Sequence, residues 1–276
     1  MSKRAILILN LGLILLGANI QRAVASDWPS WRGPHQNGVS DETGLVSTWS
    51  LDGTNLIWKA KFVGRSTPIV MNGKVYVIGR TGHGVDQQRV IACYDAKDGR
   101  LVWEKKDNVF HTTIPYNRVG WASLGGDPES GNVYAYGVDG LFTCYDGENG
   151  DILWQHSLVE EFHRFSGYGG RTNTPIVDED LVHISFWTWS AWGEKGPPKP
   201  RFSAYDKRTG ELVWTSYLKT PPKNTNYSNP VIAIINGVRT MVTGAPDGAI
   251  YGVKARTGEQ LWKFQLSKGA IQPSVV

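Results

Sequence analysis

The chain has 276 residues, with 29 Lys and Arg against 25 Asp and Glu, a net charge of +4. Those charges are spread along its length without a basic block, which excludes nucleic acid as a partner; "KGPPKPR" (195–201) reads as a Pro-rich loop instead. The 32 Gly and 12 Trp are high for a chain of this size, and two Cys carry the redox question.

In chain order, Lys3 and Arg4 precede the apolar run "AILILNLGLILLGANI" (5–20), and Ala23-Val24-Ala25 precedes Ser26. A basic start, a short apolar core and an A-x-A site make a secretory signal peptide over 1–25, cleaved after Ala25. The run is short for a bilayer span and is interrupted by Asn10 and Gly12. No Cys follows it to take a lipid. The expectation is a periplasmic or secreted protein with no integral span after cleavage, and one domain over 26–276.

The mature chain alternates like strands throughout and shows no helical period. "STPIV" (66–70), the hairpin signal Asn72-Gly73 and "KVYVIG" (74–79) lead into "RVIACYD" (89–95), then through Asp98-Gly99 to "RLVWEKK" (100–106). The second unit gives "VYAYGVDGLFTCYDGENGDILWQHS" (133–157). The third gives "TPIV", "LVHISFW" and "FSAYDKRTGELVWTS"; the fourth gives "NPVIAIING" and "RTMVTGAPDGAIYGVKARTGEQLWKF". "CYDAKDGRLVW" (93–103), "CYDGENGDILW" (144–154), "AYDKRTGELVW" (204–214) and "GVKARTGEQLW" (252–262) are one motif written four times, with a vestige in "LDGTNLIW" (51–58). Its closing residues Trp58, Trp103, Trp154, Trp214 and Trp262 lie 45, 51, 60 and 48 apart, the length of a four-stranded propeller blade.

The motif has a mechanical reading. Asp-x-x-x-Gly makes the turn between third and fourth strands, Gly supplying positive φ and Asp bonding the amides ahead of it. The Trp four residues beyond is expected to pack against the neighbouring blade's turn with its N–H bonded there. Cys93 and Cys144 share the slot of Ala204 and Gly252, as a small strand position would, which argues against a disulfide.

The "YDxxTGxxLW" signature resembles the tryptophan-docking repeat of the pyrroloquinoline-quinone (PQQ)-like β-propeller family. "DWPSWRGPHQNGVSDETGL" (27–45) is similar to the lead-in of its secreted bacterial members related to the propeller subunit of the outer-membrane protein assembly machinery. The resemblance implies an all-β propeller of four-stranded antiparallel blades, of which about four are present from a ring of about seven or eight. "AIQPSVV" (270–276) matches "RSTPIV" as the first strand of a further blade, so the domain is expected to be incomplete at its C-terminus.

Loop lengths separate scaffold from function. Third-to-fourth-strand turns are nearly constant, whereas the connections 80–89, 108–123, 159–173, 187–201 and 218–229 vary and open on the other face. Variable loops on a rigid scaffold are where binding usually lives. The candidates there are Arg118, Tyr168, Arg171, Asn173, Trp187, Trp189, Trp192, Asn226 and Tyr227, a polar, cationic mouth for an acidic ligand or a partner peptide.

The expected function is therefore a non-catalytic exported scaffold binding a protein partner or small ligand, with no metal and no catalytic residue. The alternative that the resemblance implies is a quinoprotein dehydrogenase-like oxidoreductase holding PQQ with calcium. Against it, the chain has no Cys-Cys pair, and its acidic residues on the loop-rich face, Asp86, Asp107, Glu160, Glu161 and Glu194, are scattered.

Overall fold

The computed structural model describes residues 26–109, 116–162, 172–185, 202–216, 218 and 228–275. They form four sheets, each a four-stranded antiparallel meander in which chain order is spatial order. The first comprises β1 (Ile69–Met71), β2 (Lys74–Thr81), β3 (Gln88–Asp95) and β4 (Leu101–Asn108). The second comprises β5 (Gly125–Gly126), β6 (Asn132–Tyr136), β7 (Leu141–Asp146) and β8 (Ile152–Ser157). β9 (Ile176–Asp178), β10 (Leu181–Ser185), β11 (Phe202–Asp206) and β12 (Leu212–Ser216) make the third. The fourth is β13 (Val231–Ile235), β14 (Val238–Gly244), β15 (Ala249–Lys254) and β16 (Gln260–Gln265). Among the described residues one short α-helix, Leu158–Phe162, and two 3-10 turns, Gly84–Asp86 and Tyr116–Arg118, interrupt the otherwise all-β propeller.

Each sheet buries its middle strands against its neighbour. The core runs blade to blade: Ile69, Met71, Tyr76 and Ile91 of the first sheet pack with Leu124, Val133 and Tyr145 of the second. Tyr134, Phe142 and Cys144 of the second pack with Val182, Ile184 and Tyr205 of the third. No blade has a core of its own, which is why the repeat must recur.

The motif's turn builds the seams. Trp58 Nε1 donates to Ala96 O (2.8 Å), Trp103 Nε1 to Gly147 O (2.9 Å), Trp154 Nε1 to Lys207 O (3.3 Å) and Trp214 Nε1 to Ala255 O (3.1 Å). Each acceptor is the second residue of the next blade's turn. The Gly closing that turn sits under the ring: a Cβ at Gly150 would stand 2.7 Å from Trp103, and at Gly258 2.4 Å from Trp214. Those glycines also hold φ of 76° and 73°, a second reason a side chain is resisted. Asp206 Oδ1 accepts the N–H groups of Arg208 and Thr209 (2.9 and 2.8 Å), fixing the loop. Trp262, on β16, is 36% exposed.

A β-bulge follows the small residue opposite each Trp, at Cys93/Tyr94, Cys144/Tyr145, Ala204/Tyr205 and Gly252/Val253. Cys93 and Cys144 are buried free thiols in separate blades, and burial pushes both up to about 12.

The lead-in is part of the propeller's inner wall. Trp28 exchanges both backbone hydrogen bonds with Val70 of β1, Pro29 O accepts Gly126 N–H of β5, and Gln36 Oε1 accepts Ile232 N–H of β13. Residues 28–36 thus touch the innermost strands of three blades.

Candidate functional site

An antiparallel meander puts its first and third turns at one end and its second turn and exit at the other. The first end is built from tight turns, with positive φ at Asn72-Gly73, Glu179 and Asn236-Gly237 and at the motif glycines. The other end is uneven. Its within-blade connections are long in the first and third blades (82–87 and 186–201) and short Asp-Gly turns in the second and fourth (Asp139-Gly140 and Asp247-Gly248). The outermost strands β4, β8 and β12 end there, and the innermost strands β5, β9 and β13 begin there.

The innermost strands begin on that loop-rich face, and a chain of hydrogen bonds links the residues two positions before each strand, with Ser274 at the end of the chain. Thr67 N–H donates to Ser123 Oγ (2.9 Å), and Ser123 N–H to Thr174 Oγ1 (3.1 Å). Thr174 N–H donates to Asn229 Oδ1 (3.0 Å), and Asn229 N–H to Ser274 Oγ (3.0 Å). After the first unit, the same repeat position offers a side-chain oxygen to the amide of the unit before it. A strand start has a free N–H, and this belt satisfies it across the blade seam.

Inside the belt lies an axial pocket of about 150 Å³. The first blade contributes Arg65, Ser66 and Thr67; the second, Trp121, Ala122 and Ser123; the third and fourth, Thr172, Thr174 and Asn229. Trp31 of the lead-in completes its wall. Arg32 lies over the Trp31 ring (5.6 Å to the centroid) and Arg118 over Trp121 (5.8 Å), so both indoles are backed by cations. Arg80 and His83 flank Tyr116 at 4.7 and 4.6 Å, extending the aromatic and cationic character outward.

Of the residues expected from the sequence, Arg118 stands beside this mouth. Asn173 is buried, and its Nδ2 donates to Ser228 O (2.8 Å). Its amide ties the third blade to the fourth, which limits it to positioning the mouth. Tyr168, Arg171, Trp187, Trp189, Trp192, Asn226 and Tyr227 lie outside the described residues. Trp31, Arg65, Thr172 and Asn229 were not anticipated. Arg65, Thr172 and Asn229 are marked only by their place next to an inner-strand start, and Trp31 only by the lead-in; nothing in the local sequence says which way either faces.

Beneath this face, Arg89 is 1% exposed between Asp107 (2.7 Å) and Asp139 (3.0 Å). Burial opposes its charge, yet the two carboxylates hold its proton more firmly than usual. Gly137 makes the room: a Cβ there would overlap the guanidinium. The triad crosses from the first blade to the second and pins the loop-rich end of that seam. On the opposite face a cleft of about 640 Å³ is edged by Glu129, Asp180 and Lys207, whose charges pair across seams, Lys207 with Glu129 and Asp180 with Arg256.

The cofactor implied by the resemblance can be tested on these residues. Calcium needs several carboxylate or carbonyl oxygens. Among the described residues no three His, Cys, Asp or Glu side chains converge on one point, and no carboxylate lines the axial pocket. These residues do not fit a calcium-bound quinone.

Four tryptophan-clamped, four-stranded blades with an irregular loop face define a propeller of the PQQ-repeat class. The chain belongs to the family whose profile is described as outer membrane protein assembly factor BamB, matched over residues 38–127 and 86–273. It is 24% identical over 203 residues to the outer membrane protein assembly factor BamB of Burkholderia pseudomallei, covering 73% of this chain and 42% of that protein. It is 27% identical over 221 residues to the dehydrogenase subunit of the quinone alcohol dehydrogenase of Komagataeibacter europaeus, covering 71% of this chain and 26% of that protein. The chain thus spans less than half of either relative. The quinohemoprotein alcohol dehydrogenase of Comamonas testosteroni superposes with a TM-score of 0.64 at 18% identity, over 91% of this chain and 44% of that one, a likeness of fold. Among the described residues no helix is long and apolar enough to cross a membrane.

Proposed function

We propose that the protein is an exported, non-catalytic propeller scaffold that binds a protein partner or small ligand through its loop-rich face, in the periplasm or outside the cell. The signal sequence over 1–25 supports export. The observation that carries the binding reading is the segregation of the two faces. One is closed by glycine turns clamped under tryptophans; among the described residues the other holds the axial pocket and the cation–aromatic pairs of Arg118 with Trp121 and Arg80 with Tyr116. Arg and aromatic side chains are the groups that carry binding energy at interfaces.

A second reading, a PQQ- and calcium-dependent oxidoreductase, is favoured by the similarity to the quinone alcohol dehydrogenase subunit. Among the described residues no carboxylate lines the axial pocket, which weighs against it.

Site-specific photo-crosslinking in producing cells tests the leading reading. A photoreactive residue at position 118 is expected to give a discrete covalent adduct, and one at position 97, in a tight turn of the opposite face, none. Adducts of equal yield from both positions, or from position 97 alone, would overturn it.

A further inference from the structure

The axial pocket carries a group that folding does not use. Thr172 is 4% exposed and lines the pocket, yet its Oγ1 has no hydrogen-bond partner. Buried hydroxyls ordinarily find one. Asn229 beside it accepts Thr174 N–H through Oδ1, which fixes the amide and leaves Nδ2 as a donor. Arg65 adds a guanidinium at the rim, and among the described residues no lining carboxylate answers its charge. Trp31 and Trp121 supply flat walls, each with an arginine over its ring. The pocket is therefore donor-rich, cationic and slab-sided.

Such a lining selects a planar anion. We propose that the axial pocket binds the carboxylate of a small planar acid, with Arg65 as its charge partner, Asn229 Nδ2 as a hydrogen-bond donor, and Thr172 Oγ1, shielded from solvent in the free protein, as a second donor that rotation about χ1 turns toward the ligand. Arginine suits this chemistry because its fork matches the two carboxylate oxygens. The pocket, about 150 Å³ and open on one side, has room for a carboxylate and a few attached atoms and leaves the rest of the ligand in solvent. The inference rests on the loop-rich face being the binding face, and it names the chemistry at that face's centre. A free small acid and the carboxyl end of a peptide present the same group.

The test is an NMR titration of the ¹⁵N-labelled full chain, following the indole N–H signals of Trp31 and Trp121. The probes are acetate, pyruvate, triglycine and triglycine amide. Saturable shifts are expected with the free acids at dissociation constants of about 1 mM, as suits so few ligand atoms, and none with the amide. Triglycine binding more tightly than acetate or pyruvate identifies a peptide end as the source; the reverse identifies a free acid. Arg65→Gln and Thr172→Val should each weaken binding about tenfold, the value of one charge-assisted hydrogen bond. Thr172→Val should keep the wild-type melting temperature, because the hydroxyl it removes bonds nothing in the fold. Shifts that fail to saturate, that are equal for acid and amide, or that persist in both variants overturn the inference. The crosslink at position 118 is read separately, so absent carboxylate binding with an intact adduct sinks this inference and leaves the partner reading standing.

Discussion

His183 occupies a slot in which the two preceding blades place tyrosine. Tyr76, Tyr134 and His183 sit at the same register, opposite Cys93, Cys144 and Ala204 respectively. Tyr76 and Tyr134 donate through their hydroxyls to Gly147 O (3.2 Å) and Lys207 O (2.9 Å), the carbonyls that also receive the docking indoles. His183 is 2% exposed beside Trp214 (5.6 Å), and neither ring nitrogen has a partner. Burial, with Arg239 and Arg256 nearby, pulls it from the ordinary 6.5 down to about 4, against the opposing pull of Asp178. The unfolded chain therefore binds the extra proton between these two values and the folded chain does not. Stability is fully present above pH 6.5 and falls as pH drops toward 4. At 1.36 kcal/mol per pH unit, the loss between pH 7 and pH 4.5 is about 2 to 3 kcal/mol from this residue alone.

His183→Tyr removes the titrating group and brings a hydroxyl toward Ala255 O, the carbonyl of the fourth blade that already accepts from Trp214. One net hydrogen bond contributes about 1 kcal/mol, so the variant should be more stable at pH 7 by that amount. At pH 4.5 the gain should rise to about 3 kcal/mol. Urea unfolding followed by tryptophan fluorescence at the two pH values measures both. A variant that loses as much as wild type between pH 7 and 4.5, or one less stable at pH 7, would refute the reasoning.

Three further perturbations probe the seams. Trp103→Ala, which strips a side chain only 8% exposed and its bond to Gly147 O, should cost about 3 to 5 kcal/mol by chemical denaturation. Gly150→Ala combines a strained φ of 76° with a Cβ 2.7 Å from the Trp103 ring, and should lower the melting temperature by at least as much as its φ penalty of about 1 kcal/mol implies. Arg89→Met leaves Asp107 and Asp139 without their shared cation and should cost about 3 to 5 kcal/mol at pH 7 by urea unfolding.

The repeat made the blades legible because its signal is redundant. Turn glycine, capping Asp, small strand residue and Trp recur together, and each answers a steric demand visible in the folded seam. The lead-in was legible as a resemblance but not as a wall, since its contacts run through backbone atoms of Trp28 and Pro29 that any side chain could accompany. The belt of Thr67, Ser123, Thr174, Asn229 and Ser274 escaped notice for a related reason: Ser, Thr and Asn before a strand serve turns and solvent equally well. Asn173 illustrates the limit. Its position just before an inner strand is visible in the sequence, but that its amide bridges two blades depends on the next blade's placement, which local sequence does not contain.

Equilibrium dialysis of the purified protein against micromolar PQQ with calcium, followed by dye-linked alcohol oxidation on the same sample, tests the non-catalytic claim most directly. The account predicts no saturable cofactor binding and no alcohol-dependent dye reduction. Stoichiometric cofactor with alcohol-dependent turnover would contradict it and move the dehydrogenase reading ahead.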